Sequence, residues 1–132
     1  MITSTVELTA TRGDTWLRVI PLEVLAPNGT RTPLPAAEIE ALAARFIELR
    51  LQVRVSDDAP DTLLDLSSAD GELRFDAAAG GIVIEGPAEK MADFPGGKYD
   101  LQLVESRPAH PRGPLVWTIC RGTVKVTKDR TR

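Results

Sequence analysis

The 132-residue chain is 42% hydrophobic and 27% charged, with ten Gly, ten Pro and only six aromatic residues. Such a chain fits one domain, residues 1–132, with its own core, and it is neither collagen-like nor disordered. Sixteen basic against nineteen acidic residues leave a net charge of −3, too balanced for a nucleic-acid footprint or a polybasic membrane patch.

Cys120 is the only cysteine, so no internal disulfide forms and nothing points to an oxidising compartment. The first residues lack a basic stretch followed by an apolar one, and no run approaches the ~18 apolar residues of a membrane span. No signal peptide and no membrane association are expected.

Taken in chain order, the segments alternate mostly with period two, which places successive side chains on opposite faces of a sheet. TVELT (5–9) and WLRVIPLEV (16–24) flank a turn at Arg12, Gly13 and Asp14. Residues 35–46 (PAAEIEALAARF) break the pattern, because Ile39, Leu42, Ala43 and Phe46 recur at helical spacing behind Pro35. A helix of two or three turns is expected there. FIELRLQVRV then puts Ile47, Leu49, Leu51, Val53 and Val55 on one face and Glu48, Arg50, Gln52 and Arg54 on the other, the mark of a half-buried antiparallel strand.

Further strands are expected at LLDL (63–66), ELRF (72–75), IVIE (82–85), YDLQLV (99–104) and LVWTICRGTVKV (115–126), with turn residues between them. A second short helix fits PAEKMADF (87–94), opened by Pro87 and closed by Pro95. Gly122 interrupts the last strand where its apolar parity changes, which predicts a bulge or bend at that residue. Eight short strands and one or two short helices describe an all-β sandwich.

The reactive side chains do not assemble a recognisable chemistry. His110 is the only histidine and sits in a Pro-rich loop, so a two-histidine metal site is excluded. Cys120 lies among apolar strand residues, the setting of a buried, inert thiol. Asp57, Asp58, Asp61 and Asp65 are close in sequence but match no calcium loop, and read as a solvated turn. The tripeptide Arg12-Gly13-Asp14 reads as a tight turn, not an adhesion site, and no glycine-rich phosphate cradle leads into a helix. No cofactor and no catalytic residue is expected.

The order of several motifs carries a resemblance. They are the Arg12-Gly13-Asp14 turn, the Asp70-Gly71 turn and Gly81 ahead of IVIE. The short helix from Ala88 to Phe94 comes next, then the strand through Gly97, Tyr99, Asp100 and Leu101, and Gly122 with Val124 and Val126 before a closing Thr-Arg. In this series the chain resembles the small β-sandwich proteins encoded among tail genes of bacteriophages and prophages, and is similar to the N-terminal domains of phage baseplate and tail-fibre adaptors. The resemblance implies an immunoglobulin-like antiparallel sandwich of about seven to eight strands, no enzymatic activity, and a role as a tail or baseplate structural or assembly protein. It further implies other tail or baseplate proteins as partners, a possible homo-oligomer, and a passage from host cytoplasm into the virion tail. Residues 32–45 and 105–114 depart from the family pattern; Pro108, Pro111 and Pro114 stiffen the second insertion.

Sheet edges in any such sandwich present unpaired N–H and C=O groups that a second chain can use. The expected partner-binding residues lie in the two insertions: Glu38, Glu40 and Arg45 on the helix, and Arg107, His110 and Arg112 in the loop. The alternative is a sandwich module binding carbohydrate or peptide. Such a module needs an exposed aromatic platform, whereas Trp16, Phe75, Tyr99 and Trp117 all fall in strands where most can enter the core. A hydrolase built on dispersed carboxylates ranks last, since nothing in the sequence selects a pair.

Overall fold

Alternating apolar and polar residues are realised here as two facing sheets that bury one side each and keep the other wet. The computed structural model describes residues 2–3, 7–56, 58–105 and 115–127. The larger sheet runs in the order β2 (Leu8–Thr11), β11 (Leu115–Thr127), β10 (Gly97–Glu105), β6 (Phe46–Arg54), β7 (Leu64–Ser67). The smaller sheet holds β3 (Trp16–Pro21), β9 (Gly81–Gly86) and β8 (Leu73–Asp76), and a third short sheet pairs β1 (Ile2–Thr3), β4 (Glu23–Leu25) and β5 (Arg31–Pro33). This is the expected all-β sandwich.

The core is one continuous cluster. Leu51, Val53, Leu66, Tyr99 and Leu101 of the larger sheet join Trp16, Ile20, Leu73, Ile82 and Ile84 of the smaller one, all buried. Leu49, Leu51 and Val53 of β6 are buried as the alternation requires, while Val55, just past the strand end, is 71% exposed instead of sharing that face. The expected helices form as α1 (Ala36–Arg45) and α2 (Ala88–Met91). Through Ile39 and Leu42, α1 adds to the core, and it packs on β8 and β6. Met91 of α2 is fully buried and Phe94 follows it inward, tilted 6.4 Å from the Trp16 ring.

Three features differ from the sequence expectation. Residues 16–24 are not one strand: the chain leaves the smaller sheet at Leu22, whose N–H donates to the Gly80 carbonyl and whose carbonyl receives the Leu34 N–H, so that β4 belongs to another sheet. The edge strand β2 covers Leu8–Thr11, residues 5 and 6 of the expected strand lying outside the described residues, and it runs parallel to β11, an exception among the otherwise antiparallel described pairs. The predicted bulge at Gly122 is displaced. Register is continuous there, with Gly122 opposite Tyr99, and the extra residue in β11 is Ile119, because Leu101 faces Cys120 while Gln102 faces Thr118. Gly122 is needed for a different reason: a Cβ on it would lie 2.8 Å from Tyr99 Cε1, so the glycine makes room for a buried ring lying across it.

Candidate functional site

Strand length opens one end of the sandwich. β6 and β10 have nine residues each, whereas β3 and β9 have six; at about 3.3 Å per residue the central strands of the larger sheet are longer by roughly 10 Å. Both neighbours of β10 also bulge in this region, β6 at Ile47, where Glu105 faces Phe46 and Val104 faces Glu48, and β11 at Ile119. Bulges increase local twist and bend a strand, and here both fall within the same end of the sheet. The C-terminal turn of α1 covers only part of what is left bare.

The result is a groove of about 330 Å³ lined by Leu42, Arg45, Phe46, Leu103, Trp117, Thr118 and Ile119. Trp117 lies directly opposite Leu103, so both side chains leave the sheet on its core side. Leu103 is buried, yet Trp117 is 47% exposed. Trp16 and Tyr99 enter the core and Phe75 packs against it, as the strand pattern suggests; Trp117 does not. Among the described residues, an exposed aromatic ring absent from the sequence expectation therefore stands here.

The rim of the groove is built on Arg45 in the last turn of α1. Its Nε and Nη2 donate to Glu105 Oε1 and Oε2 at 3.1 and 3.0 Å, a two-pronged pairing that fixes the guanidinium plane. The same guanidinium lies 5.1 Å from the Phe46 ring centroid, within cation–π range. The hydrogen bonds to Glu105, and then its charge, hold the Arg45 pKa above the ordinary arginine value. The groove therefore offers an apolar floor, an exposed indole and a locked, neutralised ion pair at its edge. Such a surface can receive an apolar side chain; among the described residues its lining includes neither cysteine nor histidine.

The expected site residues divide. Arg45 forms the groove; Glu38 and Glu40 lie exposed on α1 outside it, and Arg107, His110 and Arg112 lie outside the described residues. The structure brings Arg45 together with Phe46, Leu103 and Trp117, which sequence reasoning missed as site residues because their period assigned them to a core face. The signal that could have found them is the unequal length of the expected strands, ten residues of alternation at 46–55 against four residues at 82–85.

Other candidates resolve into structural roles. The Arg12-Gly13-Asp14 turn is exposed, with Gly13 at φ 86°, but its N–H groups donate to the carbonyls of Thr127, Met91 and Thr11, which tether it to the body. Cys120 is buried, its Sγ 3.1 Å from the Tyr99 hydroxyl. Burial first, then the contact with Cys120, raises the Tyr99 pKa well above the ordinary tyrosine value. Asp57 lies outside the described residues, and Asp58, Asp61 and Asp65 are exposed. Among the described residues no three His, Cys, Asp or Glu side chains converge as a metal site, and no helix is long and apolar enough to cross a membrane. Neither a protein-family model nor a curated protein matches the chain.

Proposed function

We propose that this chain is a non-enzymatic structural or assembly protein that works by docking other proteins, and that its setting is a bacteriophage or prophage tail or baseplate. The observation that carries the docking role is the half-exposed Trp117 set in an apolar groove with Phe46 and Arg45. Trp, Arg and other large aromatic side chains supply a disproportionate share of binding energy at protein interfaces, above all where a surrounding rim excludes water. The support for a phage particle is the motif series of the sequence.

The exposed indole also bears on the alternative, a module for carbohydrate or peptide. Leu42, Phe46, Leu103 and Ile119 make most of the groove wall apolar, and the Arg45 guanidinium is already paired with Glu105, so its chemistry favours an apolar peptide side chain. The testing experiment fractionates particles released from the source strain after prophage induction and probes them with antibody to the chain. The expected result is co-sedimentation with tail-bearing particles, lost for a Trp117→Ala chain that folds normally. Recovery of the normal chain only in the soluble fraction would contradict the tail assignment.

A further inference from the structure

A different surface, which stands without the groove, carries a second interaction. Exposed edge strands are templates for another chain, and three edges of the two main sheets are closed. Along β7, the Ser67 N–H donates to Glu72 Oε1 at 3.1 Å and the Asp65 carbonyl accepts from Lys90 Nζ at 3.1 Å, with Glu72 and Lys90 themselves paired at 2.7 Å. On β2 the Thr9 carbonyl accepts from the Trp16 indole at 3.0 Å. β8 is flanked by α1. Among the described residues, the edge left open is β3.

The geometry of β3 can be read from its neighbour. Leu22 N–H donates to Gly80 O in continuation of the β3–β9 register, so by the two-residue period the N–H and C=O groups of Ile20 and Arg18 also face β9. Those of Leu17 and Val19 face outward, and β3 ends its sheet with no described strand beyond it. Leu17 is 68% exposed and Val19 36%, and with Pro21 and Val83 they line an open hollow of about 510 Å³. Between them Arg18 is exposed, with no carboxylate partner among the described residues.

We infer that β3 receives an extended segment of a partner protein as an added antiparallel strand, and that this segment carries an acidic residue flanked by two apolar ones. The backbone groups of Leu17 and Val19 would form the ladder. The residue facing Arg18 then occupies a non-hydrogen-bonded pair, where side chains approach most closely and opposite charges stabilise. Two registers of a second copy fit worse. Two-fold pairing about Arg18 sets two guanidiniums face to face, and pairing about Val19 places Pro21, which has no N–H, opposite Leu17.

The test titrates the full chain, followed by amide NMR, with two blocked peptides, Thr-Val-Glu-Val-Thr and Thr-Val-Lys-Val-Thr. Shifts centred on Leu17 to Val19 and about three- to tenfold tighter binding of the glutamate peptide are expected, with the preference inverted in Arg18→Glu. Val19→Pro, which removes an outward N–H and no bond to β9, should abolish binding of both. Equal affinity for the two peptides, or shifts confined to the groove around Trp117, would overturn the inference. So would a concentration-dependent dimer in sedimentation that Val19→Pro removes, since it would make the occupant a second copy. If Val19→Pro fails to fold, the Arg18→Glu inversion decides.

Discussion

The two tryptophans mark two regions built from the same pattern with opposite outcomes. Trp16 is 3% exposed, its indole N–H bonded to the Thr9 carbonyl and its ring beside Phe94, in the part of the sandwich where both sheets are present. Trp117 also projects from the core side of its sheet, yet it is 47% exposed, at the end where the longer strands of the larger sheet have six-residue strands opposite them. Period two fixes which face a side chain takes. What covers that face is decided by the length of a strand in the other layer.

The contrast has a direct energetic form. Trp16→Ala should lower unfolding free energy by about 3–5 kcal/mol in urea denaturation, as deletion of a buried aromatic does. Trp117→Ala should cost less than about 1 kcal/mol, in the range of surface changes. Equal losses would mean that the overhanging end is packed after all. In the covered region, Glu72→Ala should cost about 2–3 kcal/mol, because the Ser67 N–H and the partly exposed Lys90 both lose their carboxylate partner.

Gly122→Ala tests the placement of Tyr99. With a Cβ 2.8 Å from a ring that is only 1% exposed, the loss should be about 1–3 kcal/mol, and Tyr99→Phe should not relieve it, since the clash is with the ring. A smaller effect appears with pH. The Tyr99 pKa is higher folded than unfolded, so the unfolded chain releases the proton first and stability declines as pH rises above about 10. Chemical denaturation across that range should show a shallower decline in Tyr99→Phe.

Much of the fold was legible because it depends on local rules. Leu49, Leu51 and Val53 needed only alternation, and α1 needed only Ile39 and Leu42 at helical spacing. The parallel pairing of β2 with β11 was hidden, since residues 8–11 and 124–127 are brought together by topology and not by any local signal. Gly122 was rightly singled out but for the wrong reason: its parity change belongs to the bulge at Ile119, and its lack of a side chain serves a ring on another strand. The groove was the least visible part. Arg45 was picked out because it lies on the helix of the insertion at 32–45, whereas Phe46, Leu103 and Trp117 have the spacing of core residues and come together beside two bulges at one end of the larger sheet.

Trp117 fluorescence in a Trp16→Phe chain, where it is the sole indole, addresses the open end most directly. A red-shifted emission that acrylamide quenches readily is expected, as for an indole in contact with water. A blue-shifted emission shielded from acrylamide in the purified monomer would show the ring covered by its own chain, and would remove the basis for docking at this groove.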